Sequence, residues 1–262
     1  MIDRLFSLDG RVAVITGGLG QLGRQFTSAL TAAGARVAIL DTREAEPGPG
    51  HVMHLVADVT DRTSIEQALA RVQDRWGTPH VLINNAALDS PPDAPASANG
   101  IPEMYPADLW RRVMDVNVTG AFLCCQVIGG RMAESGRGSV INVASIYGLV
   151  SPDQRIYEYR RSRGEEFFKP AAYSASKAAL LSLTRYFATY WAPRNVRVNT
   201  VSFAGVFNDQ DPAFLQEYTR RVPLGRMARE DEYNGAILFL ASDASSYMTG
   251  ANLVLDGGYT AW

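Results

Sequence analysis

The chain has 262 residues, of which 47% are hydrophobic and 20% charged, and its formal net charge is −2. This length holds one large α/β domain or two small ones with a sizeable core, and the near-neutral charge excludes non-specific binding to nucleic acid or acidic membranes as the basis of function. Charges at Asp3, Arg4, Asp9 and Arg11 interrupt any signal-peptide core, and no uncharged apolar stretch is long enough to cross a bilayer, so the cytoplasm is the expected compartment.

Short apolar runs alternate with longer amphipathic stretches along the chain. The predicted strands cover Val12–Ile15, Arg36–Leu40, Val52–Ala57, His80–Ile83, Ser139–Val143, Val196–Val201 and Asn252–Leu255. The predicted helices cover Leu22–Ala33, Arg62–Trp76, Ala107–Glu134, Ala172–Trp191 and Asp231–Ala241. This alternation predicts a Rossmann-type doubly wound parallel sheet of about seven strands, with helices on both faces in three α/β/α layers.

No linker divides the chain, so residues 1–262 are expected to form one domain. Three connections stand out by length and composition, at 88–106, 151–170 and 203–214. Loops this long inside a compact domain are usually functional or disordered. We therefore treat 88–106 and 151–170 as insertions beside a functional site.

The chemistry-bearing cysteines and histidines do not form a metal motif. Cys124 and Cys125 are adjacent, which disfavours a disulfide between them, and they are predicted to be two buried thiols on a helix. His51 and His54 have no cysteine or acidic partner at ligand spacing. No metal is therefore expected.

The segment "TGGLGQLG" (residues 16–23) follows a predicted strand and opens a predicted helix. Its Gly18, Gly20 and Gly23 form a G-x-G-x-x-G pattern, which allows a tight turn, close approach of a pyrophosphate and packing of helix on strand. The next strand ends at Asp41, whose carboxylate would accept hydrogen bonds from ribose hydroxyls and repel a 2′-phosphate. These features predict NAD rather than NADP as the cofactor, although Arg43 would weaken that preference.

A second pattern, "YSASK", places Tyr173 and Lys177 four residues apart and hence on one face of a helix. A phenol has an ordinary pKa near ~10, and a neighbouring ammonium stabilises its phenolate. Such a pair is suited to general acid–base catalysis.

Together these motifs resemble the short-chain dehydrogenase/reductase family, of the short subclass of about 250 residues. The segments that carry the resemblance are, in the family's order, "TGGLGQLG", "ADV" (57–59), "NNAA" (84–87), "DVNVTGAF" (115–122), "NVAS" (142–145), "YSASK" (173–177), "VRVNTVS" (196–202) and "DGG" (256–258). The resemblance extends from "GRVAVITGG" to "LVLDGG" and so covers almost the whole chain.

The resemblance implies four catalytic residues. Tyr173 corresponds to the acid–base, Lys177 to the residue that binds the nicotinamide ribose and lowers the tyrosine pKa, Ser145 to the serine that hydrogen-bonds the substrate oxygen, and Asn117 to the asparagine that holds a water in the proton relay. The implied cofactor-binding residues are Gly17, Leu19, Gln21, Leu22, Asp41, Asp58, Val59, Asn85, Ala86, Tyr173, Lys177 and Val206. Asp58 and Val59 among them would contact the adenine.

The sequence also departs from the family pattern. Gln21 stands where the short subclass has glycine, and it would either donate to the pyrophosphate or point outward. Phe203 and Ala204 replace the usual Pro-Gly beside the nicotinamide. The separation of Ser145 and Tyr173 is unusually long, and the extra loop, 151–170, is expected to stand over the substrate. That loop is either an anion-binding lid or a self-paired solvated segment, and Gln154 and Arg155, with Asn208, are the candidate substrate contacts.

The expected function is NAD-dependent hydride transfer between the nicotinamide and a secondary alcohol or ketone, of a sugar, sugar acid or polyol. Further strings such as "SPDQRIYE" resemble a branch associated with flagellin modification and acidic-sugar pathways. One alternative is a 3-oxoacyl thioester reductase, against which Asp41 argues because that activity would use NADPH. Another is a regulator without turnover, against which the four catalytic residues argue. The family also implies a homotetramer or dimer, joined through the helices at Ala107–Glu134 and Ala172–Trp191.

Overall fold

The computed structural model describes residues 2–46, 48–90, 92, 94 and 100–262. The strands are β1 (Val12–Thr16), β2 (Arg36–Asp41), β3 (Val52–Val56), β4 (Val81–Asn84), β5 (Gly138–Ser145), β6 (Val196–Phe203) and β7 (Asn252–Leu255). The helices are α1 (Ile2–Phe6), α2 (Gln21–Ala32), α3 (Arg62–Trp76), α4 (Ala107–Glu134), α5 (Glu158–Arg161), α6 (Ala171–Trp191), α7 (Pro212–Thr219) and α8 (Asn234–Ala241).

All seven strands are parallel and form one sheet in the order β3-β2-β1-β4-β5-β6-β7. The order reverses between β1 and β4, and in such sheets this switch point opens a crevice at the carboxyl ends of the strands. The predicted Rossmann-type fold of three layers is therefore confirmed. β5 and β6 run two residues beyond their predicted ends, so that Ser145 lies opposite Phe203 in the last register pair.

The apolar side chains form a core on each face of the sheet. One core packs α3, α4 and α6 against residues such as Val14, Leu40 and Val140. The other packs α2 and α8 against the alternate residues, among them Ile15, Val37 and Ile141. Strands buried on both faces explain why their sequences are almost continuously apolar.

Three helices were not predicted, and the prediction for α8 began too early. α7 carries a start signal that the sequence shows plainly, because the Asp211 carboxylate accepts from the Ala213 N–H at 2.8 Å and Pro212 occupies the first turn. α8 begins at Asn234 instead of Asp231. The short α1 and α5 have too few residues for an amphipathic pattern to emerge.

The long helix α4 is apolar because it packs in the core. It contains an 18-residue window with a mean hydropathy of 1.3, enough in length and composition for a membrane span. Every such window of α4 contains a charged residue, so the expectation that no uncharged apolar stretch reaches this length holds for α4. Its Cys124 and Cys125 are fully buried free thiols, as predicted, and burial raises the pKa of Cys125 to about 12.

Buried hydrogen bonds attach α6 to the sheet. The Asn84 amide donates to the Asn142 side-chain oxygen at 2.8 Å, and the Asn142 amide donates to the Thr184 hydroxyl at 2.8 Å. The Thr200 hydroxyl donates to the same Thr184 oxygen at 2.6 Å. Because buried polar groups are costly unless paired, this network disfavours any sliding of α6 along β4, β5 and β6.

Candidate active site

The glycine-rich turn between β1 and α2 is shaped by close backbone contacts. Gly17 has φ of +62°, and a Cβ there would lie 2.8 Å from the Cα of Ala86. A Cβ on Gly23 would lie 2.5 Å from the carbonyl oxygen of Gly17. These positions therefore need glycine, and the turn presents the amino end of α2 to the crevice, where a phosphate is favourably bound.

A cleft of about 820 Å³ opens at this turn. Predicted cofactor residues that line it are Gly17, Gln21, Leu22, Asp41, Asp58, Val59, Asn85 and Ala86. Leu19 lies behind the cleft and acts through its N–H, which donates to Asp41 at 3.1 Å. The cleft thus lies at the switch point of the sheet and is lined partly by polar residues. Its volume is large enough for the adenosine and phosphate groups of a dinucleotide.

Asn85 joins the two loops that border this cleft. Its side-chain amide donates to the carbonyl oxygens of Thr16 and Gly17 at 3.1 and 3.0 Å. The Thr16 hydroxyl in turn accepts from the N–H groups of Asn85 and Ala86, at 3.1 and 3.0 Å. These hydrogen bonds within the protein therefore fix the end of β4 against the glycine-rich turn.

Asp41 lies at the end of β2 and is almost completely buried. Burial by itself raises the pKa of its carboxyl, but hydrogen bonds from the Arg43 side chain and from the N–H groups of Arg43 and Leu19 outweigh this and lower the pKa overall. The Arg43 Nε lies 3.0 Å from one carboxylate oxygen, while the Arg43 side chain is itself more than half exposed. The crevice therefore carries an ionised carboxylate at the position predicted to meet ribose hydroxyls.

Tyr173 and Lys177 lie one turn apart on α6, with the Lys177 Nζ 5.7 Å from the centre of the Tyr173 ring. Lys177 is buried, and its ammonium donates to the carbonyl oxygen of Val143 at 2.7 Å. Burial lowers the pKa of Lys177 to about 8. Burial raises the pKa of the Tyr173 hydroxyl, and the Asp89 charge raises it further. A hydrogen bond with Ser145 lowers this pKa, but by a smaller amount than burial raises it.

The raised pKa of Tyr173 differs from the lowered pKa that the family resemblance implies. A neighbouring lysine is expected to lower the phenol pKa, yet burial is the largest influence on Tyr173 and raises its pKa. The tyrosine is therefore neutral near pH 7, the state in which it can donate a proton.

Ser145 ends β5 beside this pair. It is buried, and its hydroxyl oxygen accepts from the Tyr147 N–H at 3.2 Å. The Ser145 hydroxyl also hydrogen-bonds with Tyr173, so it lies beside the acid–base group. Ser145, Tyr173 and Lys177 all line one cavity of about 310 Å³ next to the cleft, so the structure brings three of the four predicted catalytic residues together.

Asn117 lies behind this cavity, in a π-helical turn of α4. Its side-chain oxygen accepts from the Leu88 N–H at 2.7 Å, and its amide donates to the Leu88 carbonyl and the Ser176 hydroxyl, both at 3.0 Å. π-helical turns often occur at functional sites. Here the turn connects α4, α6 and the loop after β4, while the predicted proton-relay role of Asn117 stays a prediction.

The structure places two of the three candidate substrate residues outside the cavity. Asn208 lines it, but Gln154 and Arg155 do not. The Arg155 side chain is 83% exposed and pairs with Asp153, which Arg221 also contacts. Gln154 is used internally, because its amide group exchanges two hydrogen bonds with the backbone of Lys169. The expected substrate contacts of Gln154 and Arg155 are therefore not supported by the structure.

Sequence reasoning missed two charged residues of this cavity, Asp89 and Lys169. The segment 151–170 contributes Tyr157 and Lys169 to the lining of the cavity, and Ile156, Tyr157 and Phe167 of this segment are fully buried. Lys169 is the last charged residue before the Tyr173 helix, and its closeness to "YSASK" in the sequence is the feature that could have identified it as a cavity residue.

The departures from the family pattern have local explanations. Phe203 stacks on Tyr233 with a centroid separation of 3.9 Å, and the Tyr233 hydroxyl donates to the Ala204 carbonyl at 3.0 Å. Aromatic packing thus holds the segment that ends β6. Gln21 is exposed and lines both the cleft and the second cavity, and its amide donates to the Phe207 carbonyl at 3.1 Å. Val206 lines the second cavity and pairs with Ala228 in an isolated bridge.

The chain was compared with known families and proteins. Residues 20–260 match the family model described as "Enoyl-(Acyl carrier protein) reductase". The chain is 33% identical to a D-threitol dehydrogenase from Mycolicibacterium smegmatis, over 99% of this chain and 96% of that protein. It is 30% identical to an NAD-dependent glycerol dehydrogenase from Listeria innocua, over 98% and 97% of the two chains.

A solved structure gives the same result. The short chain dehydrogenase from Leptospira borgpetersenii with bound NAD+ is 31% identical, with a TM-score of 0.85 over 99% of this chain and 96% of that one. The chain belongs to the short-chain dehydrogenase/reductase family. It is a nicotinamide-dependent oxidoreductase that acts on CH–OH groups.

Because the Lys177 ammonium is buried, it should lower the free energy of unfolding of the protein. Between pH 8 and its ordinary pKa of 10.5, the unfolded chain holds one more proton than the folded chain, so wild-type stability should rise with pH across this window. Replacement Lys177→Met removes the desolvation cost and should raise the free energy of unfolding at pH 7 by roughly 1–3 kcal/mol, with loss of turnover.

Urea unfolding of both proteins at pH 7 and pH 10 measures this difference. The advantage of the variant should shrink at pH 10, where wild-type Lys177 is neutral in the folded state. A variant that is less stable at pH 7, or an advantage independent of pH, would contradict the assigned burial cost.

Proposed function

We propose that this protein is an NAD-dependent oxidoreductase that transfers a hydride between the nicotinamide and a secondary alcohol of a polyol or sugar-like substrate. One observation carries the proposal. The neutral Tyr173 hydroxyl, Ser145 and the Lys177 ammonium converge on a polar cavity that adjoins a cleft ending at the Asp41 carboxylate. Relatives named for glycerol and threitol support the substrate class.

The chain's own residues supply positioning and proton transfer. When bound, the cofactor supplies the hydride acceptor or donor at its nicotinamide. Ser145 donates a hydrogen bond to the substrate oxygen, and Tyr173 gives a proton to that oxygen during reduction or takes it during oxidation. Lys177 holds its charge beneath the tyrosine ring through Val143, so it stabilises the phenolate that forms. Fixed placement of these groups lowers the barrier by prior orientation.

NAD is the proposed cofactor because Asp41 is ionised where the adenosine ribose would lie. NADP would lose the two charge-assisted hydrogen bonds that the ribose hydroxyls of NAD make to Asp41, and its 2′-phosphate would be repelled by this buried carboxylate. Arg43 lies close enough to offset part of this repulsion. Affinity for NAD(H) should therefore exceed that for NADP(H) by ~100-fold, and Asp41→Asn should narrow this ratio. Titration of both reduced cofactors by fluorescence measures it, and equal dissociation constants for the wild type would contradict the assignment.

The substrate class is tested by a cofactor-reduction screen. We expect turnover of glycerol, threitol or longer polyols, and little reduction of 3-oxoacyl thioesters, the activity for which another relative is named. Tyr173→Phe is the matched control. It should keep NADH binding and lose turnover by at least ~100-fold, because only the proton-carrying hydroxyl is removed. Preferred turnover of acyl thioesters, or normal turnover by the variant, would contradict the proposal.

We also propose that the protein is a homo-oligomer that pairs through α4 and α6, and that it acts in the cytoplasm. Phe122 on α4 and Tyr186 and Tyr190 on α6 are large apolar side chains that remain exposed. Contiguous exposed aromatic residues commonly mark protein interfaces. Light scattering should give a dimer or tetramer mass, and Tyr186→Glu combined with Tyr190→Glu should lower it. A monomeric wild type would contradict this proposal.

A further inference from the structure

An ion pair at the substrate cavity has no assigned role in substrate binding so far. The Lys169 ammonium pairs with the Asp89 carboxylate, and both side chains line the cavity that holds Ser145 and Tyr173. The Lys169 side chain is only 5% exposed, whereas that of Asp89 is 45% exposed. The pair therefore presents mainly its carboxylate to the open space, with the ammonium directly behind.

The position of the pair is fixed from several sides. The Lys169 ammonium also donates to the Ser90 carbonyl at 2.7 Å and lies 4.6 Å from the centre of the Tyr173 ring. Its backbone is held on both sides by the amide of Gln154, at 2.9 and 3.0 Å. A charge so close to the acid–base ring is within reach of atoms next to the reacting carbon.

The two loops that contribute this pair are joined to each other. Arg160, which is buried, donates to the carbonyl oxygens of Pro92 and Ala94 at 2.8 and 2.7 Å, and its Nε donates to Glu165 at 2.8 Å. The guanidinium also stacks on Phe167 at 4.4 Å from the ring centre. The loop after β4 and the segment 151–170 are thus joined by hydrogen bonds, and these contacts keep Asp89 and Lys169 close to each other.

The chemistry of the pair suits an uncharged hydroxyl. A hydroxyl group donates one hydrogen bond and accepts others, so it can donate to Asp89 while it accepts from Lys169. A substrate carboxylate at the same place would be attracted by Lys169 but repelled by Asp89. A hydrocarbon there would leave charged groups without a partner, which is costly in a partly desolvated cavity.

We propose that the Asp89–Lys169 ion pair binds a hydroxyl on the carbon next to the reacting one and selects uncharged vicinal polyols over monohydroxy alcohols and sugar acids. This inference rests on the proposed function. It adds the recognition group and excludes the anionic substrates that the arginines of 151–170 suggested.

The test compares three four-carbon substrates, namely threitol, 2-butanol and threonate, in the wild type, Lys169→Met and Asp89→Asn. Arg155→Met is the matched control, because it also removes a cation from an ion pair of the same segment but lies outside the cavity. For Lys169→Met, kcat/KM for threitol should fall ~10- to 100-fold, mostly through KM, while 2-butanol changes less than ~3-fold. For Asp89→Asn, the ratio of threonate to threitol should rise at least ~10-fold, since Lys169 then faces the substrate unpaired.

The ratio within each variant separates recognition from catalysis, because any change in the acidity of Tyr173 acts on all three substrates alike. A parallel loss for threitol and 2-butanol, with a displaced pH profile, would overturn the proposal and place the pair in control of Tyr173. Unchanged ratios, or an equal effect of Arg155→Met, would overturn it as well.

Two further measurements keep the result interpretable. NADH binding and the thermal midpoint report whether each variant is folded, and the double variant Asp89→Asn with Lys169→Met should show the same loss for threitol without an unpaired buried charge. If the wild type turns over no polyol at all, the proposed function itself fails, and this inference fails with it. Wild-type polyol turnover with unaltered ratios in the variants contradicts the inference alone.

Discussion

The placement of α6 on the sheet is the constraint on which the rest of the site depends. The Lys177 ammonium reaches the Val143 carbonyl of β5, and the buried amides and hydroxyls of Asn142, Thr184 and Thr200 hold the same helix further along. Both contacts fix the rotation of α6, and that rotation decides where Tyr173 points. A buried cation costs stability, so the fold keeps this contact at the expense of its own free energy of unfolding.

The helix α6 carries residues that match the family pattern, and it follows directly after a segment, 151–170, that departs from that pattern. Its face toward the sheet carries Lys177, which resembles the family pattern closely. Its amino end follows the segment 151–170, in which Tyr157 lines the cavity and packs against the buried Phe167. In the function proposed above, hydride transfer depends on the first set of residues and the choice of substrate on the second. This division is common, because loops vary on a scaffold that is itself constrained by packing.

Much of this arrangement could be predicted from the sequence. Strand-and-helix alternation gave the parallel sheet, and "TGGLGQLG", Asp41 and "YSASK" located the cleft and its chemistry because local patterns encode them. The substrate side was harder. The charge of Arg155 makes it a candidate substrate contact, but Asp153, two residues earlier and only 20% exposed, pairs with it. Asp89 and Lys169 are 80 residues apart, so their pairing depends on how two irregular loops fold together.

The central claim is that the Ser145–Tyr173–Lys177 cavity and the adjoining cleft carry out direct hydride transfer from a CH–OH carbon to NAD. It is tested most directly with a polyol that carries deuterium on the carbon to be oxidised, followed by mass analysis of the reduced cofactor. The account predicts one deuterium in each NADH formed and a slower reaction than with the protonated polyol. Reduced cofactor without deuterium, or no cofactor reduction with any alcohol, would contradict it.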